Sequence, residues 1–461
     1  MLDLRGASLL ATFCHAPACD GVEILSSTLV EIGPDGVIGA VIRPDDPEFA
    51  ARLSSAEQRG ELWRAPASAR VLPGFVDLHV HAPQYPQLGT ALDRPLEDWL
   101  TQYTFPLEAR YQDLRFAERA YGALVADLLA NGTTTVLMFA TIHYEASRLL
   151  ADICLERGMR ALIGKVAMDD PLICPDYYRD ASVGAALDGT EALIAYVRGH
   201  PDNADGRVQP VVTPRFVPSC TDALLEGLAE LAHRCGCIVQ THCAESDWEE
   251  AYVRSRTGFS DAESLDRFGL LTPHTILAHG NFLTSPDMDL VLSREAGVAH
   301  CPLSNAYFST AVFPLRMALE KGLRVGLGTD IAGGPSASMY DTLRMTVVAS
   351  RMLEGGVDPS LPPDRRGRPS ARQDWRTAFH LATAGGAAAL GLDVGTFERG
   401  RLFDAQLIDL AAPNGTIRSF DDVDDEESLL QKILYSATRA NIVEVWVGGR
   451  SVAGATRLVR P

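Results

Sequence analysis

The chain has 461 residues, 46% hydrophobic and 22% charged, which is the mix of a folded globular protein and excludes a fibrous or disordered one. Sixty acidic against 41 basic residues give a net charge of −19. Such a surface repels phosphate backbones and anionic lipid, so neither a nucleic acid polymer nor a membrane is an expected partner, whereas a small neutral molecule is. The nine cysteines form no C-x-x-C pair, no run of 18 apolar residues occurs, and the N-terminus lacks a basic start before an apolar stretch. A cytoplasmic chain with reduced thiols is expected.

Residues 1–70 carry short β-like runs, VEILSSTLVEIG and GVIGAVI, cut by Gly and Pro-Asp turns. The other end reads alike, with FDAQLIDL (403–410) and IVEVWVGGRSV (442–452). Residues 1–70 and 391–461 therefore predict one small β-sandwich domain built from both termini.

Between them, in 71–390, apolar runs alternate with helical patterns. Strands are predicted at 75–79, 134–139, 160–168, 209–213, 238–242, 275–279, 298–301 and 324–328. Helices are predicted at 115–131, 145–157, 222–235 and 285–297. Eight strands alternating with helices predict an α/β fold, a closed (β/α)8 barrel of the TIM type. The stretch between 355 and 373, rich in Pro, Arg and Asp, reads as an inserted loop. The acidic run 421–428 lacks the ligand spacing and central glycine of a calcium loop and reads as a solvated loop.

Catalytic groups of such barrels sit at the C-terminal ends of strands. His79 and His81 end the first predicted strand, one residue apart, so their side chains share a face. His242 ends the fifth, His279 the sixth and Asp330 the eighth. Imidazoles with one carboxylate suit Zn2+, with Fe2+ as the other candidate. A catalytic metal site keeps one position for water, whose pKa falls toward about 7. Glu245, three residues after His242, is a natural proton shuttle beside that water.

The remaining histidines read as ordinary core or loop residues. His143-x-Glu145 lacks the P-C-x-x-C pair of zinc nucleobase deaminases. Gly326-Leu-Gly328 runs into Thr329-Asp330 and is not a dinucleotide fingerprint. Lys165, on the third predicted strand, could bridge two metals if carboxylated, but Glu245 after His242 fits a one-metal site.

The stretches HVHAPQY (79–85), LEDWLTQYTFPLEARYQD (96–113), VTPRFVPSC (212–220), THCAESDWEE (241–250), LAHGNFL (277–283), AHCPLSNAYFS (299–309), GLGTDIAGGPSASMYD (326–341) and RANIVEVWVGGR (439–450) resemble the barrel-type guanine deaminases of the amidohydrolase superfamily. The resemblance runs from about residue 20 to 455. It implies one zinc ion held by His79, His81, His242 and Asp330, with His279 over the bound water. It implies that Glu245 protonates a ring nitrogen and that Asp330 accepts the water's proton. It places Gln84, Arg215 and Phe216 around a base, with Trp99 and Leu100 lining the pocket, and it implies a homodimer. The reaction implied is hydrolysis of guanine to xanthine and ammonia. A hydrolase of another purine, a pyrimidine or a triazine-like base is the nearest alternative. A non-catalytic barrel scaffold is the alternative of another class.

Overall fold

A computed structural model of the chain describes residues 2–454 and 458–460, so the outermost ends of the predicted 1–70 and 391–461 segments lie outside the described residues. The β-rich start pairs as expected from its short alternating runs. Strands β1 (Ser8–Ala18) and β2 (Gly21–Ile32) form an antiparallel hairpin, and β3 (Ile38–Ile42) extends it. Strands β4 (Leu62–Arg64) and β5 (Ala69–Pro73) lie parallel to β1.

The middle of the chain forms the barrel. Its strands are β6 (Phe75–His81), β7 (Thr133–Phe139), β8 (Arg160–Gly164), β9 (Val166–Ala167), β10 (Val208–Pro214), β11 (Ile238–Cys243), β12 (Thr275–His279), β13 (Gly297–His300) and β14 (Arg324–Leu327). They are parallel, in the order β14-β13-β12-β11-β10-β8-β7-β6, with β9 a short addition beside β10. Strands β6 and β7 are buried at every position, as parallel strands covered on both faces must be. Backbone bonds from Asp330 N–H to His79 O (2.8 Å) and from His81 N–H to Ile331 O (2.9 Å) join the last barrel segment to the first.

All eight predicted barrel strands are present, with two informative differences. The first runs on to His81, so both histidines lie inside the strand, with His79 in an irregularity of its pairing between Asp77 and Val80. The third is split at Lys165, whose buried ammonium donates to Val166 O (3.0 Å) and pairs with Asp180 (2.8 Å). Among the helices, Asp222–Cys235 is where the sequence places it, held by the Thr221 cap and by left-handed Gly236. The helix predicted at 285–297 stops at Ser293, because Glu295 turns left-handed (φ 56°) and Gly297 opens β13. The acidic run 421–428 is half loop and half helix: Asp425 caps helix Glu426–Ser436. The insert at 355–373 carries one short helix, Pro363–Arg366.

The C-terminal strands β15 (Ala405–Asp409), β16 (Ile442–Val447) and β17 (Arg450–Gly454) join β5 to complete one sheet, β17-β16-β15-β5-β1-β2-β3, with β4 beside β1. Phe13, Val30, Phe403 and Trp446, drawn from both termini, share its core. Two ion pairs, one half-exposed at Glu426 and one buried at both ends, fasten the outer strands and helices together. Arg70 forks onto Glu426 at 2.8 Å, and Arg160 at the foot of β8 forks onto Asp404 at 3.1 and 3.2 Å. Asp404 also accepts Gly448 N–H at 2.7 Å. Removing one partner of a buried pair strands the other charge at a cost of about 3–5 kcal/mol. Asp404→Ala is therefore expected to lower the unfolding free energy by about that amount in urea titration, while leaving kcat of the folded fraction unchanged. Among the described residues, no helix is long and apolar enough to cross a membrane.

Candidate active site

Strand pleat brings His79 and His81 to the same face of β6, at the mouth of the barrel. His242 from β11 and His279 from the end of β12 complete a cluster of four imidazoles, with His79 ring centroids 4.8 Å from His81, 4.9 Å from His242 and 5.3 Å from His279. Asp330 follows β14 by three residues. Its Oδ1 lies 3.2 Å from His79 Nε2 and 3.6 Å from His81 Nε2, and its Oδ2 lies 3.8 Å from His279 Nε2. Glu245 Oε1 lies 3.7 Å from His279 Nε2. The six ionisable residues named from the rim of the barrel therefore meet at one place.

The backbone that delivers them is unusual. Ala244, His279 and Asp330 all have positive φ (52°, 72° and 50°), a conformation that costs a non-glycine residue on the order of 1–3 kcal/mol and persists only where surroundings impose it. Asp77 supplies part of that hold. It is fully buried and accepts from His79 N–H (3.2 Å), Thr329 N–H (3.0 Å) and Thr329 Oγ1 (2.5 Å), tying the first barrel strand to the segment before Asp330. Burial pushes its carboxyl up to about 7, against those three donors. Gly328 permits the close approach. A Cβ there would sit 2.8 Å from His79 Cβ and 2.9 Å from Cys301 Sγ. Gly328→Ala is expected to displace His79 and to weaken metal uptake by about tenfold or more, as other losses of ligand support do, measured by metal titration of the folded variant.

Hydrogen bonds define which ring nitrogens point inward. His242 Nδ1 donates to the Arg215 carbonyl at 2.6 Å, so its Nε2 carries the lone pair. For His279 the assignment runs through two amides. Asn281 Nδ2 donates to the Glu245 carbonyl (3.0 Å), leaving its Oδ1 to accept from Asn305 Nδ2 (2.6 Å). Asn305 Oδ1 must then accept from His279 Nδ1 (2.9 Å), which frees His279 Nε2. Burial lowers the pKa of His79, His81 and His242, so all three are held as neutral imidazoles. Burial opposes ionisation of Asp330, yet the hydrogen-bonding groups around it, His79 and Ser304 among them, keep its carboxyl at about 2.

This donor set fits a divalent metal. His79 Nε2 and His279 Nε2 are buried without a hydrogen-bond partner among the described residues, and His81 Nε2 faces His242 Nε2 at 3.0 Å. The ligand atoms of His79, His242 and His279, and those of His79, His81 and Asp330, each lie within 4.8 Å of one another. Neutral imidazoles with one ionised carboxylate match borderline metal ions. Lys165 takes no part, since Asp180 and Val166 hold its ammonium.

A narrow cavity opens on this cluster and is lined by Gln84, Trp99, Leu100, Arg215 and Phe216, the five residues expected around a base. Trp99 is buried, donates its indole N–H to Thr90 O (3.0 Å) and packs its ring 4.9 Å from that of Phe308. Phe216 stands 6.2 Å from His242, edge to face. Gln84 is held at both ends, Nε2 donating to Glu108 (2.8 Å) and Oε1 accepting from Ala332 N–H (3.3 Å).

The sequence reading misses Glu108, and its role changes that of Arg215. Glu108 is fully buried and accepts from Arg215 Nη1 (2.7 Å) and Nη2 (3.3 Å). The guanidinium fork is thus spent on Glu108, and only its remaining N–H groups are left free at the cavity. Glu108 fixes both Arg215 and Gln84, yet in the sequence it is one acidic residue within a helical stretch. Phe308, Asn281 and Asn305 are missed as well. Phe308 and Asn305 lie in a π-helical turn, Asn305–Ser309, and Leu100 opens another, Leu100–Thr104. Such turns re-aim side chains at functional sites and leave no clear trace in sequence periodicity.

Comparison with known proteins agrees with this geometry. Residues 70–452 match the model of the amidohydrolase family. The chain is 36% identical to guanine deaminase of Homo sapiens over 458 residues, covering 96% of this chain and 95% of that one. It is 38% identical to a probable guanine deaminase of Schizosaccharomyces pombe over 390 residues, 83% of this chain and 71% of the relative. A crystal structure of guanine deaminase from C. acetobutylicum with guanine bound in its active site superposes with a TM-score of 0.85 at 29% identity, over 96% of this chain and 99% of that one. The chain belongs to the amidohydrolase family, among its guanine deaminases.

Proposed function

We propose that the chain hydrolyses guanine to xanthine and ammonia at this site, with one zinc ion held by His79, His81, His242 and Asp330. The observation that carries the reading is a single cavity in which Arg215, Gln84, Phe216 and Trp99 stand beside the four-histidine cluster, with Glu245 at the junction. When bound, the metal supplies Lewis acidity and brings the pKa of water toward about 7.

The protein's own groups account for the rest. Phe216 and Trp99 offer aromatic faces to a planar base. The free N–H groups of Arg215 suit a carbonyl oxygen, and Gln84 can both donate and accept. Glu108 keeps these two side chains oriented before substrate arrives, which reduces the ordering cost of binding. Asp330, ionised, accepts a proton from the attacking water. Burial raises the pKa of Glu245, with His279 and Arg215 opposing, so its carboxyl keeps a proton to higher pH than an exposed glutamate does. Glu245 delivers that proton to the ring nitrogen beside the carbon under attack. Oxygen then bonds to that carbon, its bond to the exocyclic nitrogen breaks, and a second proton transfer releases the nitrogen as ammonia. His279 Nε2, facing both carboxylates, orients the incoming water.

The same reading includes a homodimer and a cytosolic location. All nine cysteines are free, which accords with a reducing compartment. Purified, zinc-loaded protein should release ammonia from guanine at least about 100-fold faster, in kcat/KM, than from adenine or cytosine, because buried polar groups left unpaired by the wrong base impose losses of that size or more. A preference for adenine or cytosine in that panel would sink the assignment to guanine.

A further inference from the structure

Glu245 follows directly on Ala244, whose φ is +52°, and both backbone N–H groups are held by carboxylates from outside the cavity. Asp261 Oδ2 accepts Ala244 N–H at 2.8 Å, and Glu249 Oε2 accepts Glu245 N–H at 2.7 Å. Glu249 lies in the first turn of helix Asp247–Thr257, and Asp261 opens helix Asp261–Arg267. Their exposures are 1% and 0%. The two remaining oxygens, Glu249 Oε1 and Asp261 Oδ1, are also buried and accept from no donor among the described residues. The two carboxyl groups are within hydrogen-bonding reach of each other.

Two ionised carboxylates are not stable in this position. The charged groups that face Glu249 are Asp261, Glu245 and Glu250, and those that face Asp261 are Glu250, Asp287 and Glu249. All are acidic. Glu250 is itself paired to the exposed Arg254, and Asp287 accepts from Ser260 and Thr284. Burial, and then this acidic company, pushes both carboxyls above their ordinary range. One proton placed between Oε1 and Oδ1 satisfies both orphan oxygens and leaves the outer two free to accept the backbone N–H groups.

We propose that Glu249 and Asp261 share one proton as a positioning pair, and that their bridge locks the Ala244–Glu245 backbone and aims the Glu245 carboxyl into the cavity. The role assigned to Glu245 rests on the function proposed above; the shared proton does not.

Amide substitution tests the pair. In Glu249→Gln, the amide oxygen still accepts Glu245 N–H and the amide N–H donates to an ionised Asp261. Asp261→Asn does the same in reverse. Each single variant keeps the bridge, whereas the double variant sets two NH2 groups against each other. Singles are expected to keep kcat within about threefold of wild type, and the double to lose about 100-fold with KM nearly unchanged, the scale of a misplaced catalytic group. Melting against pH gives a second readout that needs neither metal nor substrate. In the wild type the folded pair keeps a proton that the unfolded chain releases above about pH 4. Its contribution is therefore complete below that pH and declines as pH rises through the raised folded value. The singles carry no such proton, so the melting temperature of Glu249→Gln minus that of wild type should grow from pH 5 to pH 8. A difference flat with pH, or singles as inactive as the double, overturns the shared proton. Failure of the guanine reading looks different: wild type releases no ammonia from guanine, while the pH-dependent melting difference remains.

Discussion

Glu245→Gln is expected to lower kcat for guanine by about 10³-fold, within the range a positioned acid or base contributes, while guanine affinity and metal content stay near wild type. The reason is geometric. Among the described residues the Glu245 side chain makes no short hydrogen bond; His279 Nε2 lies 3.7 Å from its Oε1. Its backbone, not its carboxyl, is tied to Glu249 and Asn281. An amide of equal shape therefore leaves the loop, the cluster and the cavity wall in place and removes only the transferable proton. Single-turnover assays with equilibrium binding of guanine separate the two contributions. Loss of binding equal to the loss of kcat would contradict a proton-transfer role.

Arg215→Met is expected to be the most damaging single change in the base pocket, because it acts twice. It removes the free N–H groups proposed to meet the base, and it leaves Glu108 as a fully buried carboxylate without a cation. An uncompensated buried charge costs about 3–5 kcal/mol of stability. Loss of a hydrogen-bonding site for the base costs on the order of 10⁴-fold in kcat/KM. A paired substitution separates these effects. Arg215→Met with Glu108→Leu removes both charges, so urea titration should show most of the lost stability restored, while kcat/KM stays near the level of the single variant. Recovery of activity in the double variant would contradict base recognition by Arg215.

The residues proposed to carry chemistry were legible because they obey simple rules. His79 and His81 show the two-residue period of a strand, and His242, His279 and Asp330 each close an apolar run, so strand ends located them. The same runs located all eight barrel strands, with edges displaced where local chemistry intervenes, as at Lys165, whose ion pair with Asp180 splits the third. The supporting residues were not legible. Glu108, Asn281, Asn305, Glu249 and Asp261 act through hydrogen bonds to residues up to 107 positions away, and nothing in their own surroundings in the sequence marks them as buried. Phe308 was hidden for a different reason, since a π-helical turn shifts the face on which its ring appears. Chain-local patterns reveal what an element presents, whereas the partners that orient it depend on closure of the barrel.

The most direct test is a titration of metal-free protein with Zn2+ while xanthine and ammonia are measured from guanine. The donor set of His79, His81, His242 and Asp330, with Lys165 engaged by Asp180, predicts that activity rises linearly to one equivalent of metal per chain and then stays level, with xanthine and ammonia formed one for one. Activity that requires a second equivalent, or no xanthine at any metal content, would contradict a one-metal guanine hydrolase.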